Sequence, residues 1–140
     1  MVMATAKSFT RPSFIDYLRS GWQMTLVAAI DYTSSNGEPA QKHSLHFLGK
    51  KPNMYQNALQ NVGEIVEAYG HKKTIPVFGF GGIPRHLKLN SVSHCFAING
   101  SKDNPHITGI QNVVNTYKHT LPKIGLGGPT LFVPLLQEFE

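Results

Sequence analysis

The sequence predicts an α/β domain, the opening half of an open sheet flanked by helices. Two observations carry the prediction. Residues 24–30 (MTLVAAI) and 74–80 (TIPVFGF) are apolar runs without strict polar alternation, which suits sheet strands covered on both faces. Between and after them, apolar residues recur at helical spacing, giving the order strand, long helix, strand, strand, helix and the start of another helix.

Residues 1–12 are polar and irregular and read as a flexible N-terminal segment, with the folded unit running from 13 to 140. SFIDYLRSG suits a short helix: Ser13 caps it, Phe14, Tyr17 and Leu18 share a face, and Gly21 ends it. The first strand follows. Asn53 then caps a helix reaching to Gly70, with Gln56 placed for a reciprocal cap and Tyr55, Leu59, Val62, Val66 and Tyr69 on the apolar face. TIPVFGF is the second strand, GGIPRHLKLN a loop, and residues 94–98 a third short strand. Phe78, Phe80, Phe96 and Ile98 are assigned to strand core, and Gly79 and Gly81 to close backbone approach. Pro105, after Asn104, is suited to open a helix carrying Ile107, Ile110, Val114 and Tyr117 and closing before Pro122. The tail GLGGPTLFVPLLQEFE reads as a tight loop and a last helix.

With 140 residues the chain is at most one domain, and 41% hydrophobic against 15% charged residues is a globular composition. The formal charge of +5 is scattered, concentrated only at Lys50-Lys51 and at His71-Lys72-Lys73. Such a balance favours acidic partners or anionic surfaces, and no nucleic-acid motif accompanies it. Cys95 is the single cysteine, so no internal disulfide forms, as fits a reducing compartment. The seven histidines are read as structural or surface residues, His43 and His46 included, because their segment looks extended. No apolar run resembles a signal peptide or a membrane span, and the expected location is the cytosol.

The chemistry concentrates where the first strand ends. In IDYTSSNGEP, Asp31, Thr33 and Ser35 alternate, and an extended chain turns all three to one side. A carboxylate with two hydroxyls is a set of hard oxygen donors suited to Mg²⁺ or Mn²⁺ and unsuited to zinc. The same residues also suit the capping of a turn, and spacing leaves both readings open. The glycine loops offer less. GFGGIP has Pro84 where a dinucleotide fingerprint needs glycine, and GLGGPT lacks the lysine of a phosphate-binding loop. No G-x-S-x-G elbow supports an acyl-transfer serine.

Taken in order, IDYTSSNGEP, SLHFL, PNMYQNALQNVGEI, PVFGFGG, HCFAING, DNPHITGIQNVV and LPKIGLGGPT closely resemble the von Willebrand A-type domain of copines, from about Phe14 to the end. The resemblance implies a Rossmann-like three-layer α/β/α fold, cut short after its first three strands. It also implies a metal-ion-dependent adhesion site, in which Asp31, Thr33 and Ser35 match the D-x-[ST]-x-S block and Thr130 of GPT matches the loop threonine. Such a site holds Mg²⁺ or Mn²⁺ with one position open for an acidic residue of a protein partner, so binding is the expected role and not catalysis. The family's final aspartate falls on a strand after the helix expected to start at Thr130, beyond Glu140, so weak metal binding is expected here. Residues 24–30 would then present an open edge, so the chain is expected either to self-associate through it or to be a fragment of a longer protein.

In the family, Ca²⁺ and phospholipid membranes are bound by two C2 domains that lie outside this sequence. The resemblance therefore implies a cytoplasmic protein, peripherally membrane-associated in its full-length form. Two other readings stand beside the first. Copine-like domains of plant RING-type ubiquitin ligases share the DxTxS and GPT blocks, which would make this a substrate-binding domain. Alternatively, the basic surface would bind anionic lipid directly.

Overall fold

Two parallel strands form the spine of the computed structural model, which describes residues 11–69, 73–101 and 103–139. β1 (Ala28–Asp31) lies beside β2 (Thr74–Phe80) in register from Ala28 opposite Val77 to Asp31 opposite Phe80. On the far edge of β2 runs an interrupted antiparallel strand. Its first part is β4 (Phe96–Ala97) and its second is β5 (His106–Thr108), in line along β2 with residues 98–105 looping out between them. Val77 makes the join, accepting from Ile98 N–H and donating to the Pro105 carbonyl. A two-stranded ladder completes the strands, pairing β3 (Gly82–Pro84) with β6 (Ile124–Leu126).

The helices cover both faces. α2 (Met54–Tyr69) and α3 (Ile110–Thr120) pack on one side, and α4 (Val133–Gln137) lies on the other. Alternation along β2 explains the division. Ile75 and Val77 join Ile30, Tyr32, Phe96, Ile98, Val113 and Tyr117 in the main core, whereas Phe78 and Phe80 meet Leu135 of α4 on the opposite face. The α/β class holds, as does the assignment of Phe78, Phe80 and Phe96 to strand core. Ile98 is buried too, but the strand expected at 94–98 is confined to Phe96–Ala97 and Ile98 lies just past its end.

α2 starts with the expected reciprocal cap: Gln56 N–H donates to Asn53 Oδ1, and Asn53 N–H donates to Gln56 Oε1. The apolar face read from the sequence holds in part: Tyr55 and Leu59 pack half-buried against the main core, and Val66 is half-buried. Gly63 is the only fully buried residue of the helix, and a Cβ there would collide with Ile110, so the two helices meet closely at that glycine. Glu67 tightens the crossing by accepting from Ile110 N–H at 2.6 Å. Val62 and Tyr69, from the same predicted face, are exposed.

Other elements also differ from the reading. α1 (Phe14–Arg19) has the Ser13 cap, completed by Asp16, but buries no residue. The helix expected from Pro105 starts at Ile110, because His106–Thr108 pairs with β2 and Gly109, at φ 78°, breaks the chain direction. β3 lies inside the segment read as loop. The apolar run at 24–30 yields a strand only from Ala28, and among the described residues β1 pairs with β2 alone, leaving Ala29 exposed. A groove of about 280 Å³ follows that free edge, walled by Val27, Ala29 and Ile30 on one side and Tyr55, Leu59 and Val62 on the other. The segment 1–10 and His71-Lys72 lie outside the described residues.

Candidate metal site

The residues singled out at the end of β1 come together, though not by the expected route. The chain does not stay extended. It turns at Ser34–Asn36 into a short 3₁₀ helix, closed by Gly37 at φ 81°. The turn still brings Thr33 Oγ1 to 3.1 Å from Ser35 Oγ, and Asp31 Oδ1 accepts from Thr33 N–H at 2.8 Å. Thr33 is buried, Asp31 half-buried and Ser35 exposed, so the oxygens form a cluster open to solvent on one side.

A second loop closes on this turn. Gly127 sits beside Thr33 in a parallel bridge, accepting from Ser34 N–H at 2.7 Å and donating to the Tyr32 carbonyl at 3.1 Å. The pairing needs small residues. A Cβ on Gly81, at φ 69°, would strike Thr33 Cγ2, and one on Gly127 would lie 2.7 Å from Val92 Cγ2. Thr130, three residues beyond Gly127, is exposed on the same loop and makes no hydrogen bond to Asp31, Thr33 or Ser35 among the described residues. It does not cap the last helix, which starts at Val133 instead of Thr130.

Beneath the turn lies a buried polar network that the sequence reading did not find. His46 is wholly buried, its ring stacked between Tyr32 at 5.3 Å and Tyr55 at 4.4 Å, each within 10° of parallel. Its Nε2 lies 2.8 Å from the Asp31 carbonyl and its Nδ1 2.9 Å from Tyr117 Oη. A carbonyl only accepts, so Nε2 carries the proton and Nδ1 accepts from the phenol. Asn53 Nδ2 donates in turn to Tyr117 Oη at 3.0 Å. Asn36, also buried, donates from Nδ2 to the Thr33 carbonyl and accepts at Oδ1 from Tyr55 Oη at 2.7 Å. Burial pushes the Tyr117 phenol up to about 12 and the Tyr55 phenol higher still, so both stay protonated donors. Burial pushes the His46 imidazole down, keeping it neutral.

The donor set fits a hard divalent cation: one carboxylate and two adjacent hydroxyls, with room for water. Among the described residues, no group of three or more His, Cys, Asp and Glu side chains gathers anywhere, this turn included, so Asp31 is its only such ligand. Away from the turn, a cleft of about 380 Å³ opens near the start of α2. Lys42, Lys50 and Lys51 line it with Ser44, Phe47 and Asn53, and no acidic residue is among its walls.

Comparison with known proteins adds two findings. The family model described as Copine matches residues 44–140, which includes Thr130 and begins after Ser35. Protein BONZAI 1 and Protein BONZAI 2, both from Arabidopsis thaliana, are each 40% identical over 126 residues, 89% of this chain. The chain spans 21% of the length of each of these curated relatives. No helix among the described residues is long and apolar enough to cross a membrane.

Proposed function

Since this chain belongs to the copine family, we propose that it is a non-catalytic protein-interaction module whose partner completes a Mg²⁺ or Mn²⁺ site built on Asp31, Thr33, Ser35 and Thr130. The observation that carries the reading is the 3.1 Å approach of the Thr33 and Ser35 hydroxyls beside the half-buried Asp31 carboxylate. A dication bridged by three such oxygens keeps sites for water or for an acidic side chain of another protein, and the ion supplies the charge that such a side chain seeks. Gly127 fastens the loop that carries Thr130 to the same turn, which supports including Thr130 as the fourth oxygen.

Asp31 is the only formal charge among the four, so affinity for the ion is weak, on the order of millimolar. Titration of Mg²⁺ and Mn²⁺ by calorimetry tests the reading. Saturable binding to the wild type that disappears in Asp31→Ala, with the variant still folded, is the expected result. A folded wild type that binds neither ion refutes it.

One observation favours a second contact, between the Lys42, Lys50 and Lys51 cleft and anionic lipid headgroups. Vesicles containing phosphatidylserine are then bound at low salt and released as ionic strength rises, and changing all three lysines to glutamine weakens binding on the order of a hundredfold. Vesicle binding unchanged in the triple variant removes this contact.

A further inference from the structure

The two hydroxyls of the turn are aimed by residues that lie outside the proposed ligand set. Thr33 Oγ1 has one hydrogen and two lone pairs. Asn36 Nδ2 reaches one lone pair at 3.3 Å while donating to the Thr33 carbonyl at 3.0 Å. The remaining neighbour is Ser35 Oγ at 3.1 Å. When Thr33 donates to Ser35, one lone pair on each hydroxyl is left free, which is the arrangement a cation needs. When Ser35 donates instead, both Thr33 lone pairs are occupied and its hydrogen faces outward.

Asn36 itself has no freedom to reverse. Its Oδ1 accepts from the Tyr55 phenol at 2.7 Å, and a flipped amide would set its oxygen against the Thr33 carbonyl. Tyr55 is fixed in turn, its ring stacked on His46 and its helix capped by Asn53 just before it. The Thr33 methyl lies against Gly81, which holds the side chain in one rotamer.

We propose that Tyr55 and Asn36 are positioning residues for the metal, a hydrogen-bond relay from α2 that presets the free lone pair of Thr33 Oγ1. The proposal rests on the reading that Asp31, Thr33 and Ser35 hold a divalent cation. It extends that reading to residues that touch no metal, 1 and 20 positions beyond Ser35. Tyr55 also walls the groove along the free edge of β1, so whatever shifts α2 there shifts the metal hydroxyls with it.

Tyr55→Phe tests the relay, because it removes one oxygen and leaves the ring in its stack. The affinity for Mn²⁺ falls about tenfold, as for loss of an outer-shell partner, while the thermal midpoint moves by only a few degrees. Asn36→Ala lowers the affinity at least as much, and adding Tyr55→Phe to it lowers it no further, since the phenol acts through the amide. A role confined to stability would lower the midpoint and leave the affinity of the folded fraction alone. Wild-type affinity in Tyr55→Phe overturns the relay, as does a full tenfold further loss in the double variant. If the wild type binds Mn²⁺ and Tyr55→Phe matches it, the relay alone fails; if the wild type binds none, the metal reading fails and the relay with it.

Discussion

Replacing His46 by alanine lowers the unfolding free energy by about 3 kcal/mol, measured by urea denaturation at pH 7.5. Two costs combine. The imidazole is wholly buried between Tyr32 and Tyr55, so its removal leaves a ring-sized cavity that two stacked aromatics cannot close without giving up their own contacts. Tyr117 Oη also loses its acceptor, and the Asp31 carbonyl keeps only the longer contact to Tyr55 Oη at 3.2 Å. Stability within 1 kcal/mol of the wild type would show that the network carries far less than its geometry implies.

The same residue sets a pH dependence with a definite sign. Burial depresses the His46 imidazole in the folded chain, so the unfolded chain takes up the proton first as pH falls. Stability from this group is complete above the unfolded value of about 6.5 and is lost below it, by at most about 1.4 kcal/mol per pH unit, until the folded imidazole also protonates. His86 is depressed by burial too and acts in the same direction. The readout is therefore the difference between proteins: from pH 7.5 to 5.5 the wild type loses more stability than His46→Ala. Parallel losses would contradict the assignment.

The second large effect is expected from a single methyl group. Gly79→Ala destabilises the chain by about 3 kcal/mol, the upper range for overpacking a filled core. Gly79 is the penultimate residue of β2, with Ile30 on one side and Phe96 on the other. A Cβ there would stand 2.6 Å from the Phe96 ring and 2.7 Å from that of Tyr32. Neither ring has room to retreat, since Tyr32 is wholly buried and stacked on His46. Thermal unfolding checks it, with a fall of roughly 10 °C expected. A shift below 2 °C would mean that the strand relaxes at little cost.

What could be read in the sequence was what local chemistry writes there. The Asn53–Gln56 cap needs only four residues, and TIPVFGF is apolar from Ile75 to its end, so α2 and β2 were legible. β5 was not. Its three residues carry one buried side chain, Ile107, which fits a helical period with Ile110 and Val114 as well as a strand. Only pairing with Thr74–Pro76 decides between them, and that contact is remote in sequence. β3 was hidden for a similar reason, because its partner Ile124–Leu126 lies some forty residues away.

The site divides in the same way. Asp31, Thr33 and Ser35 could be picked out because their alternation is local, even though the route expected for Ser35 was wrong. Asn36 and His46 left no such signal. His46 sits in an irregular stretch between Leu45 and Phe47, and its partners are 15 and 71 positions distant. A buried histidine in a loop has no period to betray it.

The most direct test of the account is Mn²⁺ added to the isotope-labelled chain, with the broadening of each backbone amide signal followed by NMR. The paramagnetic ion at Asp31, Thr33, Ser35 and Thr130 broadens the amides of residues 31–36 and of Gly127, Gly128 and Thr130 first, and Asp31→Ala removes the effect at the same concentration. Broadening that starts at surface histidines such as His43 or His106, or that survives unchanged in Asp31→Ala, would show that the turn after β1 is not where the ion binds.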